Sequence, residues 1–280
     1  MSNPDEIVTE QLLRSWGLPD PGSSKKTRGR VIVVGGSRRT PGAVVLAAEA
    51  ALRVGAGRLG VVVPQSVDAQ LGAVIPEAAV FALPEDASQA LPDGVRDEIG
   101  NADAVLVGPG FDDIDETRST LLAVLECGVS RLVLDAYALG VINDIPRDRM
   151  PDEVIVNANE EEAAILLGRA LSDDRLDDLR EIAERDRLVV QCYGDIVEPG
   201  GRSCRIPAGG PGLGTSGSGD VLAGAITGFA ARGLEAPRAA AWGAWAHATA
   251  GDSLTERTGL GFLARDLAAQ LTVVVNDVFR

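Results

Sequence analysis

The sequence predicts an α/β fold in one large domain, a mainly parallel central sheet with helices on both faces. Three observations predict it. Short valine-rich apolar runs alternate with stretches whose apolar residues recur at helical spacing, and strand–helix–strand order implies parallel pairing with right-handed crossovers. Glycine clusters close several of the runs, where a chain must turn sharply from strand to helix. Alanine, glycine and valine are abundant while aromatic residues make up only 4%, which suits closely packed helix–sheet layers. The 280 residues are enough for one substantial core. Residues 1–27 read as an N-terminal helix and linker, and 28–280 as the domain.

Taken in order, residues 7–16 have an amphipathic helical pattern, and a Pro/Gly/Ser linker runs through Ser24. The basic stretch Lys25 to Arg30 reads as a solvated lead-in to a first strand, 30–34, which Gly35-Gly36-Ser37 ends. Residues 41–54, mostly Ala and Val, follow as a helix with Pro41 in its first turn. A strand at 58–63 stops at Pro64, and further strands are expected at 78–82 and 104–107, the latter closed by Gly108-Pro109-Gly110. A helix at 117–127 leads to a strand at 131–134, with Asp135 at its carboxyl end. A strand at 154–156, a helix at 160–167 stopped by Gly168, and a charged helix at 176–185 come next. Strands at 188–192, 196–198 and 202–206 follow, with Glu198-Pro199-Gly200-Gly201 as a hairpin signal. Helices at 220–232, 237–257 and 265–276 close the chain.

The totals bound the function. A formal net charge of −15 argues against nucleic acid and anionic membranes as partners. No apolar stretch approaches the ~18 residues of a membrane span, and the polar start lacks the layout of a signal peptide. Cys127, Cys192 and Cys204 are scattered without metal spacing, so free thiols in a reducing cytoplasm are expected.

The informative stretch is 209–220, Gly-Gly-Pro-Gly-Leu-Gly-Thr-Ser-Gly-Ser-Gly-Asp, with six glycines in twelve positions and an apolar helix directly after it. Such a loop gathers unpaired N–H groups at a helix start and makes an anion site, phosphate being the usual occupant. A carboxylate there repels a phosphate, so Asp220 makes sense as a chemical participant beside it. The plainer reading is a capped helix start. Neither Gly-x4-Gly-Lys-Ser/Thr nor Gly-x-Gly-x-x-Gly after a first strand is present. Four other punctuations, Gly35-Gly36-Ser37, Gly108-Pro109-Gly110, Asp135-Ala136 and Asn157-Ala158-Asn159, fall at strand carboxyl ends, where open α/β sheets collect ligands. The acidic run 173–178 and the pair Arg38, Arg39 read as solvated. The lone His247 reads as a satisfied structural residue, and Trp242 and Trp245 as core or subunit interface.

Gly217-Ser218-Gly219-Asp220 before a small-residue helix resembles the ribokinase-like superfamily. With Val33-Val34-Gly35-Gly36-Ser37, Gly42-Ala43, Arg53-Val54-Gly55-Ala56-Gly57, Val107-Gly108-Pro109-Gly110, Leu134-Asp135-Ala136 and Trp245-Ala246-His247-Ala248-Thr249-Ala250-Gly251-Asp252, the chain is similar to the ADP/ATP-dependent NAD(P)H-hydrate dehydratase family over residues 28–252. The resemblance implies a ribokinase-like three-layer α/β/α fold and a cytoplasmic homo-oligomer, expected as a homotetramer. It implies ADP or ATP as cosubstrate with Mg2+ carried by the nucleotide phosphates rather than by a protein metal site. The implied reaction is repair of a hydrated nicotinamide ring by phosphorylation and elimination; a small-alcohol kinase and a weakly active nucleotide-binding homologue are the alternatives. Carried over by position, Asp220 is the base, and the Gly217, Ser218 and Gly219 amides form the anion hole. Ala43, Gly110, Asn159 and Asp220 match the hydrate positions. Tyr193, Gly194, Asp195, Ile196 and Val197, with Gly210, Gly212, Gly214, Thr215, Ser216, Gly217 and Gly219, match those for the adenine nucleotide. Two positions depart from the family: Asn159 stands where a histidine is expected, and Tyr193 where a lysine is expected. The epimerase domain often fused before this module does not precede it in this sequence.

Overall fold

The structure, a computed structural model, describes residues 3–280. Its strands are β1 (Glu6–Ile7), β2 (Arg30–Val34), β3 (Arg58–Pro64), β4 (Ala78–Leu83), β5 (Ala104–Val107), β6 (Arg131–Asp135), β7 (Glu153–Ala158), β8 (Val189–Cys192), β9 (Asp195–Val197) and β10 (Ser203–Arg205). Its helices are α1 (Glu10–Trp16), α2 (Gly42–Arg53), α3 (Asp68–Val74), α4 (Asp93–Gly100), α5 (Ile114–Leu125), α6 (Glu160–Leu167), α7 (Arg175–Asp186), α8 (Ser218–Ala231), α9 (Ala236–Thr258) and α10 (Ala264–Asp277). The strands form one sheet in the order β1-β10-β9-β8-β7-β6-β5-β2-β3-β4. Only β9 runs against its neighbours β8 and β10; every other pairing is parallel. This is the predicted three-layer α/β/α architecture, a mainly parallel sheet with helices on both faces.

Alternation along the strands makes two cores. Val31 and Val33 of β2 face one side, with α2, α8, α9 and α10, while Ile32 and Val34 face the other, with α4 to α7. The small residues of α8 let it lie almost on the backbone of α2. A Cβ added at Gly224 would sit 2.1 Å from the carbonyl oxygen of Ala47. Gly224→Ala is therefore expected to lower stability by about 1–3 kcal/mol, the usual cost of overpacking. A lowered urea midpoint at unchanged slope is the readout, and an unchanged midpoint would contradict the packing account.

Trp242 is fully buried and Trp245 is 8% exposed, so both belong to the core. Several boundaries differ from the sequence reading. Ile7 is in a strand, not a helix, because β1 pairs with β10, and the helix begins only after Thr9 caps it. The charged helix before β8 is not wholly solvated: Asp178 is 3% exposed, held by Arg169 at 2.8 Å and by the Ser172 N–H. Helices α3 and α4 and the short 3-10 turns at Ala136–Gly140, Ile142–Asp144 and Arg147–Arg149 were not anticipated. Among the described residues, no helix is long and apolar enough to cross a membrane.

Candidate active site

The chain reverses its order across the sheet at β2: β3 lies on one side of it and β5 on the other. Loops leaving β2 and β5 therefore diverge, and the crevice between them is where such sheets bind ligands. Here the two loops are clamped. The Gly36 N–H donates to Pro109 O at 2.7 Å, and the Thr40 hydroxyl donates to Gly110 O at 2.8 Å. A Cβ at Gly110 would lie 3.0 Å from Ala43 Cβ and 3.1 Å from Gly36 Cα, so Ala43, Gly110 and Gly36 form one tight wall.

The glycine loop arrives beside this wall. Asp252 of α9 accepts the Gly209 and Gly210 N–H groups, at 2.9 and 2.7 Å, and fixes the start of the loop. Gly217 adopts φ +88 and starts α8. The Ser218 N–H donates to Thr215 O at 3.2 Å, which removes it from the predicted anion hole. Among the described residues, the N–H groups of Gly217, Gly219 and Asp220 keep no intramolecular acceptor. Free amides at this helix start therefore include that of Asp220, while that of Ser218 is taken. Ser218 instead turns inward. Its hydroxyl and carbonyl oxygens both lie 2.9 Å from His247 Nε2. Burial pushes His247 down to about 4, so the ring is neutral at pH 7 and acts as a structural tie, as the sequence reading expected.

Asp220 lies in the first turn of α8. Burial raises it to about 6, and no donor of the described residues bonds its carboxylate. Below it lies a second acid that the sequence reading left without a role. Asp135 ends β6, is 6% exposed, and is held well above the usual carboxylate range by burial, then by the charges of Asp220 and Glu162. Strand register places Asp135 beside Asn157 of β7, and Asn157 beside Gln191 of β8. The Asn157 amide donates to Asp135 at 2.8 Å and reaches Gly219 O at 3.5 Å, linking this polar row to the helix start. The signal that could have found the row is a polar residue at or next to the last position of each of three adjacent apolar strands.

The other predicted positions separate by chemistry. Asn159 is exposed and caps α6, its side chain accepting the Glu162 N–H at 2.9 Å. Tyr193 and Gly194, at φ 45 and 83, form the two-residue turn between β8 and β9, and the Tyr193 ring is 63% exposed. The Arg175 guanidinium lies 5.8 Å from that ring centroid. It is a cation near the place of the missing lysine, yet Glu160 and Asp195 already bond it at 2.7 and 2.8 Å. Asp195, Ile196 and Val197 are at most 1% exposed, main chain included, and β9 is paired on both sides, so these three predicted nucleotide positions present no surface to a ligand.

A sequence profile of the NAD(P)H-hydrate dehydratase family matches residues 31–273. A Xanthomonas campestris protein named ADP-dependent (S)-NAD(P)H-hydrate dehydratase is 40% identical, over 98% of this chain and 97% of its own. The chain belongs to the NAD(P)H-hydrate dehydratase family. The family also includes the bifunctional NAD(P)H-hydrate repair enzyme of Moorella thermoacetica, 34% identical over 89% of this chain, of whose length the match covers 50%. Among solved structures, the Bacillus subtilis ADP/ATP-dependent NAD(P)H-hydrate dehydratase co-crystallised with ATP/Mg2+ superposes with TM-score 0.85 at 25% identity, covering 98% of each chain.

Proposed function

We propose that the chain restores a hydrated nicotinamide dinucleotide to its reduced form, with ADP or ATP as phosphoryl donor. The observation that carries this reading is the pairing of an unbonded Asp220 carboxylate with the free N–H groups of Gly217, Gly219 and Asp220 at one helix start. The carboxylate takes the proton of the ring hydroxyl as its oxygen attacks the terminal phosphorus and the shortened nucleotide leaves. The three amides, fixed before the reaction, meet the negative charge spread over the phosphoryl oxygens. Cleavage of the C–O bond then releases phosphate, and loss of a proton from the neighbouring carbon restores the ring double bond.

Ala43 and Gly110 form the wall for the hydrate, while Asn159 borders it from the cap of α6. The Tyr193–Gly194 turn and loop 210–217 bracket the nucleotide. No group of three metal-ligating side chains occurs among the described residues. In this reading magnesium accompanies the nucleotide phosphates, whose charge it would neutralise when bound. Free Cys127, Cys192 and Cys204 suit a reducing cytoplasm. Exposed Leu260, Leu263 and Val273 near the C-terminus support a homo-oligomer such as a tetramer. Light scattering at micromolar concentration checks this, and a monomer mass would exclude it.

The pH dependence follows from Asp220. The base must be ionised, and its value near 6 means that it is half protonated there. Turnover is expected to climb from pH 5 to 7 and then level off. A rate that is flat across that window would remove Asp220 as the base.

A further inference from the structure

A cleft of about 630 Å³ opens beyond the Gly36–Gly110 wall, above the carboxyl ends of β2, β3 and β4 and beside α5. That volume is typical of a small-molecule site. Gly36 and Ser37 form its near end, and Leu83, Leu91 and Phe111 give it an apolar lining. Gly36, which lines the cleft, also packs against Gly110, so the cleft adjoins the hydrate positions across this wall. It lies on the opposite side of β5 and β6 from the β8–β9 turn. With a nicotinamide ring at Asp220 and the phosphoryl donor arriving from the β8 side, the rest of the dinucleotide has this cleft as its free direction.

The charges of the cleft are uneven. Among the described residues Arg38 and Arg39 are its only cations, in a chain of net charge −15. No carboxylate among the described residues pairs with Arg38, and Arg39 is 85% exposed with Asp112 no nearer than 4.0 Å. Guanidinium groups suit a diphosphate. The remaining charged lining is acidic: Glu85, Asp113 and Glu116 as well as Asp112. One Asp113 oxygen accepts the Asp115 and Glu116 N–H groups, leaving the other available. Carboxylates accept hydrogen bonds from ribose hydroxyls in other dinucleotide sites, and they repel an added phosphate.

We propose that this cleft holds the adenosine half of the substrate, with Arg38 and Arg39 on its diphosphate, and that its carboxylates select a free 2′-hydroxyl over a 2′-phosphate. The proposal rests on the dehydratase reading for the placement of the ring, but its test does not require turnover. NADH and NADPH are titrated against the protein with saturating AMP, and dihydronicotinamide fluorescence reports binding. NADH is expected to bind roughly tenfold or more tightly than NADPH, the scale of a charged hydrogen bond gained or a repulsion avoided. Arg38→Ala with Arg39→Ala is expected to weaken both by a similar factor, and Glu85→Gln with Glu116→Gln to narrow the gap between them. Equal binding of the two dinucleotides, or unchanged NADH affinity in the double arginine variant, overturns the proposal. Turnover of the hydrate with unchanged binding in the variants removes the cleft alone. The expected binding pattern in a protein without turnover sustains the cleft and removes the dehydratase reading.

Discussion

Asp220→Asn is expected to reduce turnover of the hydrate by roughly two to four orders of magnitude, the usual contribution of a general base. The shape of the side chain is kept and the proton acceptor is lost. Nucleotide binding is expected to hold or improve, because a carboxylate beside the phosphates is removed. Folding should be nearly unaffected, since no donor in the described residues bonds the Asp220 side chain. If Asp220 served only the helix start, asparagine would do almost as well and activity would persist. Steady-state rates and nucleotide affinity measured on the same preparation separate these outcomes. Wild-type turnover in the variant would end the catalytic assignment.

Gly108→Ala is expected to be the most damaging single substitution in the sheet. Gly108 ends β5 at φ +128, a conformation that side chains rarely adopt, and a Cβ there would lie 1.8 Å from the Asp135 carbonyl oxygen. Strained backbone and overpacking each cost about 1–3 kcal/mol. With about 2–4 °C per kcal/mol for a large domain, the midpoint of thermal unfolding should fall by roughly 10 °C. A midpoint within a degree or two of wild type would mean that β5 and β6 separate more easily than their register implies. Because Asp135 lies directly against Gly108, any folded fraction should also show impaired turnover.

What the sequence disclosed depended on how local the signal was. Strands β2 and β5 and helix α2 were legible because their apolar runs are bounded by glycine or proline. Glu6–Ile7 escaped because two residues have no periodicity of their own; their partner is Cys204–Arg205, remote in the chain. Helix α4 escaped for a related reason, since only Val95 and Ile99 mark its buried face. In the site, Asp220 and its glycines were legible because a dense glycine run ending on an acid is distinctive. The loss of the Ser218 amide to Thr215 was not, because turn hydrogen bonds depend on φ and ψ rather than on residue type. Nor was the buried row Asp135–Asn157–Gln191, which exists only once parallel register aligns three strand ends. Arg175 shows the same limit: it reaches Tyr193 from another element, so inspecting the turn alone could not place a cation beside it.

The central claim is tested most directly by one stoichiometric measurement on the wild-type protein. Hydrated NADH is incubated with ADP or ATP and magnesium, and restored dihydronicotinamide absorbance and released phosphate are followed together. The account predicts that the two rise in equal amounts and only when nucleotide is present. A stable phosphoester with no recovery of absorbance would contradict it and identify a kinase that stops at phosphorylation, and nucleotide binding without either product would contradict it as well.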